Sequence, residues 1–170
     1  MGAGKSSVGR RLASVLDAPF HDSDDEIVAA AGMSIPDIFA THGEPEFRRG
    51  EQRVIERLLE GPPCILATGG GAFVQPGTRS AMLNASCVVW LNAEFDVLWR
   101  RVSRRGGRPL LQTENPKQTL RDLMAARSPI YRQAHICVAT RDGPHEETVA
   151  AVLDALKQAP QEIRPVRPLS

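Results

Sequence analysis

Residues 1–10 read Met1-Gly2-Ala3-Gly4-Lys5-Ser6-Ser7-Val8-Gly9-Arg10, and the stretch from Gly2 to Ser6 matches the back half of a phosphate-binding loop, G-x-x-x-x-G-K-[ST]. The first glycine of that pattern would stand three residues before Gly2, upstream of Met1. A glycine-rich turn ahead of any helix would also satisfy so short a match, but two features favour phosphate. Lys5 is the only lysine before Lys117, so it does not come from a lysine-rich background. Val8, Leu12, Val15 and Leu16 follow helical spacing, so a helix starts where the loop ends. Its unpaired amides and positive dipole end suit phosphate oxygens. Gly2, Ala3, Gly4, Lys5, Ser6 and Ser7 are therefore expected to cradle phosphates. Lys5 would reach the β- and γ-phosphates, and the Ser6 hydroxyl would sit on Mg²⁺.

Working outward, the 170 residues suffice for one domain with a substantial core, expected over 1–159. The make-up, 42% hydrophobic and 24% charged, is that of an ordinary globular protein, and the net charge of +1 argues against a nucleic-acid or membrane surface. No apolar run approaches the roughly 20 residues a membrane span needs. We expect a cytoplasmic monomer acting on a small molecule, with neither nucleic acid nor membrane as partner. Cys64, Cys87 and Cys137 each stand in an apolar run without metal-ligand spacing, which reads as buried free thiols in a reducing compartment. The proline-bearing tail, 160–170, is expected to be loose.

Apolar runs alternate with helical patterns along the chain. Phe20 leads through a short strand into an acidic turn, His21-Asp22-Ser23-Asp24. Ser34-x-x-Asp37 caps a short helix that Gly43 stops. Phe47, Glu51, Val54, Ile55, Leu58 and Leu59 then line one stripe of a helix closed by Gly61-Pro62-Pro63. The runs at 64–67, 87–91 and 136–138 resemble buried parallel strands, with helices at about 95–104, 116–126 and 146–156. Strands alternating with helices predict an α/β fold, a parallel sheet covered by helices on both faces, which binds ligands beyond the carboxyl ends of its strands.

Several constellations fall at such ends. Asp22 and Asp24 flank Ser23 after a strand, so strand alternation points both carboxylates the same way. They suit orienting hydrated Mg²⁺ and accepting a hydroxyl proton, although helix-capping aspartates would look identical in sequence. Thr68-Gly69-Gly70-Gly71-Ala72 follows a buried strand directly, and bare backbone there admits a close ligand. Phe47-Arg48-Arg49 heads a helix, and Arg127-Ser128-Pro129-Ile130-Tyr131 reads as a connection between two helices. Guanidinium forks of this kind bind carboxylate with paired hydrogen bonds, though a solvated helix face is the alternative for any one arginine. Arg100, Arg101, Arg104, Arg105 and Arg108 crowd the approach to Gly106-Gly107-Arg108-Pro109-Leu110-Leu111, which reads as a hinged lid bringing arginine onto phosphate.

In this order the motifs GAGKSS, DSD at 22–24, GEPEFRRGE at 43–51, ATGGGA at 67–72, RPLL at 108–111 and RSPIY at 127–131 resemble the shikimate kinase family. The triple glycine with EFRR and R-x-P-x-Y is far more specific than the loop. The resemblance implies a P-loop three-layer fold like that of the nucleoside monophosphate kinases, with a mobile lid at about 105–116 and a shikimate-binding segment at about 24–60. It implies phosphoryl transfer from ATP, with Mg²⁺, to the 3-hydroxyl of shikimate on the route to chorismate. By that analogy Asp24, Arg48, Arg127 and the glycines Gly69, Gly70 and Gly71 bind shikimate, the two arginines taking its carboxylate. Asp24 would also deprotonate the hydroxyl, Arg108 would meet the ATP phosphates, Arg101 would lie against adenine, and Asp22 would act through metal-bound water.

Two departures from the family pattern stand out. Family members usually carry a strand and a first loop glycine, often ending Gly-x-Met-Gly, ahead of the segment matched here, and Met1 falls at that internal methionine; the expectation is a late start. Ala139-Thr140 stands where many relatives have Asp-Thr. Gluconate kinase would share the loop and lid but not the triple glycine with EFRR. A kinase-like module that binds without turnover is the remaining alternative.

Overall fold

The computed structural model describes residues 2–104, 111 and 113–160; residues 105–110 and 112 of the expected lid, among them Arg108 and the pair 106–107, and the tail beyond 160 lie outside the described residues. The loop runs straight into helix α1 (Lys5–Val15), whose N-cap, Gly4, is left-handed at φ 85° and brings no side-chain cap. Val8, Gly9, Leu12 and Ala13 form its buried face. Gly9 lets the helix lie close on the next strand, since a Cβ there would fall 2.7 Å from Phe20 Cε2.

That strand, β1 (Phe20–Asp22), gives way at once to helix α2 (Ser23–Ala31). The acidic turn expected at 22–24 is therefore a helix start. Asp22 caps it, and Asp24, Asp25 and Glu26 occupy the first turn, where the positive helix end favours them. Strand alternation accordingly does not set the directions of Asp22 and Asp24. Helix α3 (Ile35–Glu60) begins at the Ser34 cap and is broken at Gly43, which takes φ 77° and ψ 171°, so the stop expected there is a kink between two helical stretches.

Strand β2 (Ile65–Ala67) pairs parallel with β1, Phe20 opposite Ile65 and Asp22 opposite Ala67. A single 3₁₀ turn (Ala72–Val74) follows the glycines and leads into helix α4 (Pro76–Ala85), which the sequence reading did not anticipate. Strand β3 (Val89–Ala93) precedes helix α5 (Phe95–Arg104). Helix α6 (Pro116–Tyr131) continues through Pro129, so Arg127–Tyr131 is its last turn and not a connection. Ile130 and Tyr131 pack beside Ile55, Phe73 and Met82, and that core anchors the turn despite the proline. Strand β4 (Ile136–Thr140) pairs parallel with β3, and helix α7 (His145–Gln158) closes the order.

Helices α1 and α7 cover one face of the strands, with Val8 and Leu12 against Val149, Val152, Ile136 and Val138. The α3, α4 and α6 side chains that meet Leu66 and Val88 cover the other. The layering is that of an α/β P-loop protein. Strand β4 departs from the expected all-buried run, alternating buried and exposed, because Ile136 and Val138 pack under α1 and α7 while the opposite face is left uncovered. For that reason Cys137 is exposed, and Cys64 and Cys87 are only half-buried, contrary to the expectation of buried thiols. Burial is nevertheless enough to push the Cys64 and Cys87 thiols up.

The strands form two sheets, β1–β2 and β3–β4. A cavity of about 940 Å³ lies between them, lined by Ile65 and Leu66 of β2, Val89 and Leu91 of β3, and Val8 and Leu12 of α1. Among the described residues no strand joins β2 to β3. No helix among those residues is long and apolar enough to cross a membrane.

Candidate active site

The loop, the carboxyl end of β2 and the last turn of α6 meet along the cavity, where Lys5, Gly69, Gly70 and Arg127 share its wall. Gly2 and Gly4 both take positive φ, as a loop that wraps a phosphate requires. Gly2 is pressed on α5, where a Cβ would fall 2.9 Å from Val102 Cγ1, and Ala3 packs on the same cluster. The Ser6 hydroxyl donates to Asp22 Oδ2 at 2.6 Å, while Asp22 Oδ1 accepts the Asp24 amide at 3.1 Å. One carboxylate thus ties the phosphate loop to the start of α2. The pair also fits magnesium, which takes one or two protein ligands and otherwise keeps waters and phosphate oxygens. Among the described residues no group of three or more His, Cys, Asp or Glu makes a larger cage.

Asp24 stands at the mouth of the site. Partial burial of its carboxyl, then the neighbouring Asp22 charge, raise its pKa above the ordinary aspartate value; Lys5 and Arg48 pull the other way. Ser23, fully buried, accepts the Gly69 amide at 3.1 Å and so fixes the triple glycine against α2. A Cβ on Gly69 would fall 2.9 Å from Asp24 Oδ1 and 3.2 Å from Glu51 Oε1, so two carboxyl groups converge on this bare backbone.

On the α3 side Arg48 is held by three hydrogen bonds. Its Nη1 donates to Glu51 at 2.6 Å, and its Nη2 and Nε to Glu44 at 3.1 and 3.2 Å. The guanidinium lies on Gly71, where a Cβ would fall 2.5 Å from Nη1 and 2.6 Å from Nη2. Burial pushes the Glu51 carboxyl up against the opposing pull of Arg48. For Arg48, burial draws the pKa down and the Glu51 and Glu44 hydrogen bonds more than restore it. At 1% exposure Glu51 is a buried carboxylate partnered by arginine. The sequence placed Glu51 on the apolar stripe of its helix, and a carboxyl on such a stripe is the signal that identifies it.

The Tyr131 hydroxyl bonds the Gly70 carbonyl, linking the end of α6 to the glycine loop. Its ring lies on Trp90 and Phe73. Burial raises the Tyr131 pKa, and Arg127, bonded to the same side chain, opposes it. The structure thereby gathers Lys5, Ser6, Asp22, Asp24, Arg48, Gly69, Gly70, Gly71 and Arg127 around one cleft. Ser7 lies at the first turn of α1, where its carbonyl accepts from Arg11. Arg101 is placed beside the loop, with Nη1 3.9 Å from a Cβ on Gly4 and Nη2 donating to the Arg141 carbonyl at 2.8 Å.

A phosphate loop on α1, a carboxylate at the end of β1 and a fixed arginine across a glycine-rich turn define a P-loop kinase of small molecules. Comparison with known proteins narrows the class. The shikimate kinase family model matches residues 1–157. The chain is 55% identical over 166 residues to the shikimate kinase of Rhodopseudomonas palustris, covering 95% of this chain and 82% of that protein. It is 55% identical over 159 residues to that of Caulobacter vibrioides, covering 94% and 80%. The structure of shikimate kinase from Acinetobacter baumannii in complex with shikimate superposes with a TM-score of 0.87 at 41% identity, over 93% of this chain and 89% of that one. The chain belongs to the shikimate kinase family. A gluconokinase from Sinorhizobium meliloti, at TM-score 0.62 and 19% identity, shares the fold alone.

Proposed function

We propose that the chain transfers the γ-phosphoryl group of ATP to the 3-hydroxyl of shikimate, with its residues in the following roles. The observation that carries the assignment is Arg48, clamped by Glu51 and Glu44 onto Gly71 and facing the cleft that Asp24 borders. A fixed, pre-organised fork suits a substrate carboxylate, because little side-chain freedom is lost when it binds. Arg127 supplies the second donor to that carboxylate, and Gly69 to Gly71 offer backbone at close range.

Asp24 accepts the proton of the 3-hydroxyl as its oxygen bonds to the γ-phosphorus and the bond to ADP breaks. A carboxyl with a raised pKa is a stronger base once ionised. Lys5 and the loop amides hold the β- and γ-phosphates, placing positive charge where it develops during transfer. Mg²⁺ held near Ser6 and Asp22 would neutralise phosphate charge. Arg101 would lie toward the adenine, and Arg108, which falls outside the described residues, would meet the phosphates.

Coupled measurement of ADP release tests the assignment. Shikimate should stimulate turnover, and gluconate and AMP should not. Equal stimulation by gluconate overturns the reading, and ligand binding without turnover would leave a non-catalytic module.

A further inference from the structure

The roles above leave out one side chain at the phosphate loop. His145, the first residue of α7, presents Cε1 3.3 Å and Nδ1 3.7 Å from the point where a side chain on Gly4 would begin, with Arg101 Nη1 3.9 Å from the same point. Two nitrogen-bearing side chains, from α5 and α7, therefore converge on one face of the loop glycine that starts α1.

Both are held from outside the loop. Arg101 is fixed by the Arg141 carbonyl. Next to His145, Glu146 accepts from Arg11 Nε at 2.9 Å, pinning the start of α7 to α1. Behind that bridge Val149, Val152 and Leu156 pack with Val8 and Leu12. The backbone that carries the imidazole thus cannot drift from Gly4 without separating two packed helices. His145 is half-buried, and among the described residues its ring makes no hydrogen bond. A ring that served packing alone would gain from being apolar, whereas this one keeps N–H capacity at the edge of an anion site.

We propose that His145 is a nucleotide-contacting residue: with Arg101 it walls the nucleoside end of the ATP site, its ring N–H donating to a ribose oxygen. The inference rests on the reading of the loop as an ATP site. The loop amides take the terminal phosphates, so the remainder of the nucleotide leaves along a flank, and the flank bounded by Arg101 and His145 offers hydrogen-bond donors.

Titration of the full chain with ADP and, separately, with inorganic tripolyphosphate tests this. His145→Leu fills the space without a donor, and His145→Gln keeps one. The Leu variant should weaken ADP about three- to tenfold, the worth of one hydrogen bond, and leave tripolyphosphate unchanged. It should raise KM for ATP by the same factor, with kcat and KM for shikimate unaltered. The Gln variant should recover most of the ADP affinity. Unchanged ADP binding in His145→Leu overturns the proposal, as does equal weakening of ADP and tripolyphosphate, which would mean that the ring merely props the loop. Failure of the kinase assignment is a separate result, namely wild-type protein whose turnover does not respond to shikimate.

Discussion

Asp24 concentrates the chemistry at the scale of single residues. Its pKa is raised by burial first and by the Asp22 charge next, with a smaller push from Asp25. The carboxylate must be ionised to take a proton, so turnover should rise with pH through the raised value, and the acid limb should lie above that of an ordinary aspartate. Asp25 is exposed and stands outside the cleft. Asp25→Asn removes one raising charge, so the acid limb of kcat should move to lower pH with little change in its plateau. Asp24→Asn should abolish most turnover while ATP still binds. A pH–rate profile of kcat for the three proteins checks both statements; an acid limb unmoved in Asp25→Asn would show that another group controls it.

At the scale of elements, the turn after β2 works by having no side chains. A Cβ on Gly69 would fall 2.9 Å from Asp24 Oδ1, and one on Gly71 2.5 Å from Arg48 Nη1, closer than a Cβ stands without something shifting. Gly71→Ala should therefore displace Arg48 and act as a substrate-binding lesion, although the arginine itself is intact. Shikimate KM should rise at least tenfold, as when one partner of a desolvated pair is withdrawn at about 2–5 kcal/mol, and Arg48→Ala should add little to it. Steady-state kinetics of the two single variants and the double variant decide the matter. Additive losses would mean that the glycine and the arginine act separately.

For the whole molecule, the cavity of about 940 Å³ between the two sheets is a large departure from close packing. The facing edges of β2 and β3 carry backbone groups that no strand among the described residues pairs, each worth about 1–3 kcal/mol if it stays buried and unsatisfied. Against a domain stability of about 5–15 kcal/mol, a few such groups matter. Ala3 lines the same cavity, so a chain continued before Gly2 can reach it. Adding an apolar strand of about ten residues ahead of Gly2 should raise both Tm and shikimate-dependent turnover. Thermal unfolding and rates measured side by side check this, and coincident curves would mean that β2 and β3 need no strand between them.

The sequence by itself determined the phosphate loop, the alternation of strands and helices, and the family, because these depend on local spacing and on motifs contiguous in the chain. Of the site residues it named, Lys5, Asp24, Arg48 and Arg127 are among those the structure brings together, whereas Ser23, Glu51 and His145 were not named for the site. Element starts that rest on capping were less legible: the Asp22 cap that turns 22–24 into a helix looks like an acidic turn in one dimension. The last turn of α6 was hidden by Pro129, since burial of Ile130 and Tyr131 overrides the local signal to stop. Only the tertiary structure decided which partners meet. Arg48, held by Glu51, faces Gly71 across elements, Asp24 joins Glu51 at Gly69, and His145 reaches Gly4 from the far end of the chain. Local preference says where a helix begins, but close packing of distant elements decides which charges share one desolvated cleft, and spacing along the chain can mark a buried charge such as Glu51 without naming the partners it meets.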